Sequence, residues 1–303
     1  MVPISKEFVF QYGYVSNKDR ICFITNHEKS TSQEFPNAQL YLFRNGKDWS
    51  QTVVKWASVG LTSVLQPVPT IVVLGRDGEV LIGTSKGYRE EQINDLGASP
   101  LRRGPMRNIR AISGTVFAVG MARQVYRRLG DNTWARYEEG LPVDIPPLKV
   151  AGFNSIDGAA IDDIYSVGWG GEIWHHDGTL WLPEESPTNL ALFDVLAISA
   201  SKIYACGQAG TLLQGRSGLW EVVEFEGPRP TFRSMAWFQD KLYLADGQAL
   251  FTLENGELSV VDFGVGVTVP SGHLHTGDGI LLSVAGKEVF MTTDAVTWVP
   301  LPI

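Results

Sequence analysis

The strongest constraint on this chain is that it repeats itself. A short phrase recurs about every 40 residues, made of an apolar strand, a turn with Gly, a second strand, a Gly/Asp/Asn turn and a Trp. The clearest copies run from Ile164-Tyr165-Ser166-Val167-Gly168 to Leu180-Trp181 and from Ile203-Tyr204-Ala205-Cys206-Gly207 to Leu219-Trp220. Superposed at an offset of 39 without gaps, they agree at Ile, Tyr, two Gly, Leu and Trp within 18 positions. The closing Trp or its stand-in falls at Trp49, near Glu91, then at Trp134, Trp181, Trp220, Leu258 and Trp298, a mean step of about 41.5 residues. That is the length of one four-stranded propeller blade. The expectation is an all-β chain forming a single β-propeller over residues 1–303, seven-bladed in preference to six.

Composition supports one such domain and narrows the partners. With 303 residues and 44% apolar content the chain can bury a substantial core. Its start, Met1-Val2-Pro3-Ile4-Ser5-Lys6-Glu7, has neither the basic opening nor the apolar stretch of a signal peptide, so a cytoplasmic location is expected. No apolar run reaches the length of a membrane span, so no membrane partner is expected. A net charge of −8 opposes general nucleic-acid binding, which draws on phosphate neutralisation. Cys22 and Cys206 fall in second strands, where they read as reduced core residues rather than a disulfide.

Strand signals are short runs of β-branched and aromatic residues bounded by Gly, Asp, Asn and Pro. With strands named A to D from the axis outward, the B strands read 20–25, 70–74, 115–119, 163–167, 202–206, 241–245 and 279–284. The C strands follow at 39–43, 79–83, 124–128, 172–175, 211–214, 249–253 and 288–291. The resulting blades span roughly 4–56, 57–99, 105–142, 150–187, 190–227, 230–263 and 268–303. Residues 57–99 depart most from the pattern, because Tyr88-Arg89-Glu90-Glu91 stands where a Trp is due. As an insertion this stretch would leave six blades. Closure also has two forms. In one, Phe8 to Val15 is an inner strand and Thr297 to Leu301 an outer one; in the other, Val2 to Ser5 supplies the outer strand of the last blade.

The segments Met291-Thr292-Thr293-Asp294-Ala295-Val296-Thr297-Trp298 and His175-His176-Asp177-Gly178-Thr179-Leu180-Trp181 resemble degenerate Asp-box turns. Such turns mark BNR/sialidase-type propellers and Ycf48-like photosystem assembly factors. The resemblance implies scaffold roles: the turn Asp bonds within its own hairpin and the Trp packs between blades. A sialidase would also imply an arginine triad, a Tyr/Glu nucleophile pair and an acid Asp, but the chain lacks the Phe/Tyr-Arg-Ile-Pro phrase near its start. Its nearest string, Thr231-Phe232-Arg233-Ser234, is late and incomplete. No Gly-Xaa-Ser-Xaa-Gly elbow, P-loop or HExxH occurs.

Candidate sites follow from loop type, since D–A and B–C connections share one face of a propeller and A–B and C–D turns the other. The first set holds Arg76, Arg102, Arg103, Arg107, Arg123, Arg229 and Lys287, with Arg110 and Arg233 near the following inner strands. The second holds Asp19, Asp48, Asp131, Asp157, Asp162, Asp177, Asp240, Asp278 and Asp294. An Arg-enriched face on an acidic protein suits an acidic protein segment or a carboxylate ligand. Asp144, Glu184 and Glu185 oppose that set. Trp169, in the turn Gly168-Trp169-Gly170-Gly171, is placed either as an exposed anchor there or as a plug over the axis. The polar insertion His27 to Asn37 joins this face. His273 and His275, at i and i+2 on one strand face, could share a metal, although a third ligand is missing, and no cofactor is expected. The adjacent acids Asp162-Asp163, Glu90-Glu91 and Glu184-Glu185 read as solvated loop charges.

These observations point to a monomeric, non-enzymatic protein-binding module, of the bacterial immunity or assembly-factor kind, with a protein partner of acidic surface. The rival is a carbohydrate-active hydrolase or lyase with a central pocket.

Overall fold

The computed structural model describes residues 6–29, 37–142 and 150–301. They form seven antiparallel sheets, each of four consecutive strands paired in chain order. Blade 1 spans 8–54, blade 2 58–92, blade 3 106–136, blade 4 153–184, blade 5 192–222, blade 6 234–260 and blade 7 273–300. The protein is a seven-bladed β-propeller, and residues 57–99 supply a complete sheet rather than an insertion. Phe8–Asn17 pairs with Arg20–His27 and Val299–Pro300 with Glu288–Thr292, so the first and last described strands lie in different sheets. Val2 to Ser5, the Ser30 to Pro36 part of the insertion and Asp144 lie outside the described residues.

Two compact units divide the chain. The first holds blades 1, 6 and 7; the second holds blades 3 to 5 and most of blade 2. Within the first unit, Phe10, Phe23 and Tyr41 of blade 1 pack with Leu282 and Val284 of blade 7, while Phe263, Phe290 and Trp298 form a second cluster. Within the second, Phe117 and Val119 meet Phe153, Trp174 and Trp181, and Tyr165 and Val167 meet Leu192, Leu213 and Trp220. Each B strand is covered on both faces, which is why B strands read as unbroken apolar runs such as Ile164 to Val167.

The recurring Gly that ends the B strand answers to space rather than to φ. A Cβ on Gly168 would stand 1.9 Å from the Gly152 carbonyl oxygen, and one on Gly207 2.1 Å from that of Ala191. Backbone entering each blade crosses there, and only a bare Cα lets it pass. The recurring Trp ties one blade to the one before it. The indole of Trp181 donates to the Tyr137 carbonyl at 2.8 Å, that of Trp134 to Glu91 at 3.2 Å, and that of Trp220 to Glu184. In the turns, Asp177 Oδ1 accepts from the backbone N–H groups of Thr179 and Leu180, and Asp294 Oδ1 from those of Val296 and Thr297. Those bonds hold the Asp294 carboxyl down at about 2.

Two expectations need correction. Glu91, Glu184 and Asp163 are not solvated loop charges. Adjacent strand residues point to opposite faces, so one acid of each pair faces a neighbour. Glu91 is buried against Arg128, Glu184 accepts from Trp220, and Asp163 Oδ1 sits 2.9 Å from His175 Nε2. Asp157, assigned to a turn, lies instead within the strand Phe153–Ala160 and receives both Nε and Nη2 of Arg110, at 3.1 and 3.0 Å. Cys22 and Cys206 are buried free thiols, and burial pushes Cys22 up to about 12.

Candidate functional site

In the second unit, B–C turns and D–A connections are stitched together by backbone hydrogen bonds. Met106 donates to the Arg76 carbonyl, Met121 to Pro105, Trp169 to Gly152 and Gln208 to Ala191, at 2.9 to 3.2 Å. The connection leaving blade 2 is bound most closely. Ile93 donates to Gly78 at 2.8 Å, Ser99 Oγ to the Asp77 carbonyl at 3.0 Å, and Gln92 Nε2 to the same carbonyl at 3.0 Å. Ser99 also caps the short 3-10 turn Pro100–Arg102 by accepting from the Leu101 N–H. Arg76, Arg102 and Arg107 therefore ride on one interlocked platform, and all three are exposed.

At the edge of that platform is a two-residue turn. Asp95 N–H donates to the Ala98 carbonyl at 2.8 Å and Ala98 N–H returns the bond at 3.2 Å, leaving Leu96 (φ 52°) and Gly97 (φ 87°) in the left-handed region. Asn94 Oδ1 accepts from the Gly97 N–H. Leu96 is 81% exposed. Beneath it the Asp95 carboxylate is fully buried and bonded to Arg136 Nε, with Arg103 Nη1 at 4.0 Å. Burial alone would push the Asp95 carboxyl up; the hydrogen bond and charge of Arg136 outweigh it and hold the group below the usual range.

Two of the sequence candidates, Arg103 and Arg123, serve the interior. Arg103 donates to both Glu138 oxygens at 2.9 and 3.1 Å and to the Ala122 carbonyl at 3.3 Å. Arg123 is buried: Nε meets Glu172 Oε2 at 2.6 Å, Nη1 the Pro142 carbonyl at 3.1 Å, and its guanidinium lies 5.4 Å from the Trp174 ring centre. Ala122 and Arg123 have φ of 55° and 52° where blade 4 has Gly170-Gly171. Trp169 is half-buried, edge-on to Phe193 at 6.3 Å. Arg229 is exposed, 3.3 Å from the exposed Glu224. Arg233 belongs to the first unit, where it too is exposed. Arg76, Arg102 and Arg107 thus share one platform, Arg103 and Arg123 pair with internal acids, and Trp169 stays half-buried. Leu96 was missed in the sequence. Its signal is a large apolar residue before Gly97 in a turn whose other members, Asn94 and Asp95, are polar.

A cleft of about 530 Å³ lies elsewhere in this unit, lined by Val68, Thr70, Arg89, Arg128, Leu129 and Asp131 among others. Its one lining acid among the described residues, Asp131, is bonded to Arg128 at 3.0 Å and to Arg89. Arg128 also donates to both oxygens of Glu91, at 2.9 and 2.7 Å, and Glu91 is not part of the lining. Burial would raise the Glu91 carboxyl, but Arg128, the Asn132 backbone and Trp134 hold it below the ordinary range, opposite to what a general acid requires. Glu79 is pushed up by burial, yet it accepts the Asp77 N–H at 2.9 Å and does not line this cleft.

In the first unit, His273 Nδ1 accepts from the Gly13 N–H at 3.4 Å and His275 Nδ1 from the Val15 N–H at 3.2 Å. Their rings pack on Tyr12 and Tyr14. Both act as ties between blades 7 and 1, and no cluster of three or more metal-ligating side chains occurs among the described residues.

No family model matches this chain. Among solved structures, the WD40 β-propeller domain of Doa1 superposes with a TM-score of 0.69 at 9% identity, covering 96% of this chain and 95% of that one. YCF48 bound to D1 peptide gives 0.67 at 13% identity, covering 96% and 93%. These likenesses concern the fold. A sequence relative goes further: the immune protein Tsi7 of Pseudomonas aeruginosa is 40% identical over 238 residues, 78% of each chain. With that identity over more than three quarters of both chains, this protein belongs to the Tsi7 family of immune proteins.

Proposed function

We propose that this chain is an immunity protein, a non-enzymatic propeller that protects its cell by binding a toxic protein and masking it. The observation that carries this reading is the 40% identity to an immune protein across most of both chains. The geometry agrees in kind. In the second unit a stitched platform carries exposed arginines, and Asp131, the acid that lines the cleft of about 530 Å³, is tied to Arg128 and Arg89 rather than poised for proton transfer. The binding face proposed is that of Arg76, Arg102 and Arg107, with Arg229 exposed elsewhere on the same unit; an acidic surface on the partner complements it. The partner is met in the cytoplasm by a monomer, without nucleic acid or metal, and the Asp177 and Asp294 turns are of the Asp-box type.

The test is genetic and biochemical together. Tagged full-length chain recovered from its native host should carry a stoichiometric protein partner, seen by native mass spectrometry. That protein, expressed alone in a heterologous host, should arrest growth, and co-expression of this chain should restore it. A partner that is harmless, or whose toxicity persists, contradicts the proposal.

A further inference from the structure

We infer that Leu96 is the apolar anchor of the toxin interface, and that the partner presents an apolar socket bordered by carboxylates. The inference deepens the immunity reading and rests on it.

Three observations converge on this residue. The first is strain. A non-glycine residue in the left-handed region is disfavoured, and Asn or Gly is the ordinary occupant of a two-residue turn of this kind. Leu96 sits there at φ 52°, its side chain 81% exposed, so nothing in its own fold repays the choice. Strained backbone of this sort concentrates at binding and catalytic sites.

The second is rigidity. Paired backbone bonds between Asp95 and Ala98 close the turn, Asn94 caps Gly97, and the buried Asp95 carboxylate fastens the base to Arg136. Ile93 and Ser99, flanking the turn, are hydrogen-bonded to the Gly75–Gly78 turn. An anchor held this way loses little conformational freedom on binding, which is what separates a strong contact from a merely exposed one.

The third is the surrounding charge. Leu101, also exposed, and Arg102 follow on the 3-10 turn capped by Ser99, and Arg76 and Arg107 flank the Arg76 carbonyl to Met106 N–H bond. The three arginines are exposed, and the half-buried Asp77 shares a recess with Asn94, Gly97 and Ala98 of the turn. The complementary surface is an apolar pocket with Asp or Glu on its rim, the rim steering encounter and the pocket supplying affinity.

The test uses the purified toxin recovered in the experiment above and full-length variants of this chain, with affinity measured by calorimetry and melting temperature by circular dichroism. Leu96→Asn keeps a residue suited to the turn. It should weaken binding at least 30-fold while leaving the melting temperature unchanged or higher. Leu219→Asn, at a residue 78% exposed on blade 5, should stay within about twofold of the wild type. Arg102→Glu should weaken binding at least tenfold and reduce its salt dependence. Leu96→Asn binding within threefold of wild type overturns the inference and leaves the immunity reading standing. A lowered melting temperature in that variant also overturns it, by showing that Leu96 is structural. If the wild-type chain binds no toxin, both readings fall.

Discussion

Trp134 and Glu91 meet across blades 3 and 2, the indole N–H donating to Glu91 Oε2 at 3.2 Å while Arg128 closes on both carboxylate oxygens. Glu91 occupies the place where the repeat calls for Trp in blade 2, so this junction keeps its own Trp134 and adds a buried carboxylate paired with Arg128. Removing one partner of such a pair leaves the other charge stranded. Glu91→Ala should lower the unfolding free energy by about 3 kcal/mol, and Glu91→Ala combined with Arg128→Met should recover most of it. Urea denaturation of the two variants beside wild type measures both effects.

Acid should attack the same place. Glu91 and Asp95 both have carboxyls held below the ordinary range, because arginine contacts outweigh burial. The unfolded chain then takes up protons first as pH falls. The stability these groups supply is complete above their unfolded values, about 4.3 for Glu and 3.9 for Asp, and is lost as pH drops through the lower folded values. Melting curves should show the gap between wild type and Glu91→Gln narrowing from pH 5 to pH 3. A gap that stays constant would mean that the carboxylate does not carry the junction.

Arg123 couples a strained backbone to a buried pair. Its φ of 52° suits Gly, and Glu172 accepts from its Nε, from the Gly152 N–H and from the Trp174 indole. Arg123→Ala should cost about 2 kcal/mol from the lost charge-assisted bond. Arg123→Gly loses the same bond but relieves the left-handed strain, so it should be milder by about 1 kcal/mol. Chemical denaturation that ranks the two in the reverse order would refute this division.

Gly168 and Gly207 should tolerate no side chain. Each lies in extended backbone, so the obstacle is the carbonyl at 1.9 or 2.1 Å and not φ. Gly168→Ala and Gly207→Ala should each lower stability by about 2 kcal/mol or more through forced displacement of the entering strand. Gly170→Ala, with open space around it, should show only the smaller penalty of its positive φ. Thermal unfolding of the three variants gives the comparison.

Much of this architecture was legible because blade formation is a local and repeated event. The spacing of Ile164, Tyr165, Gly168 and Trp181, met again at Ile203, Tyr204, Gly207 and Trp220, encodes a strand covered on both faces, a crossing backbone and a wedge between sheets. The Arg set reads as charge on a loop type; Arg76, Arg102 and Arg107 lie on one platform, while Arg103 and Arg123 pair with acids. What could not be read was the choice each charge makes among neighbours far away in sequence. Arg123 finds Glu172 and Arg103 finds Glu138 across blades, and a composition of loops does not say which acids come within 3 Å. Glu91 misled for the same reason: beside Glu90 it looks solvated, and only its strand face decides otherwise. Leu96 gave only the weak signal of an apolar residue before Gly97, because exposure and φ are properties of the folded turn.

The central claim, protection by binding without chemistry, is met most directly by titrating the toxic activity of the recovered partner with purified chain in vitro. Stoichiometric capture should leave activity falling linearly and reaching its floor at one equivalent of chain, with no covalent change in the toxin by mass spectrometry. Complete loss of activity at a small fraction of an equivalent, or a modified toxin, would show turnover and contradict the account.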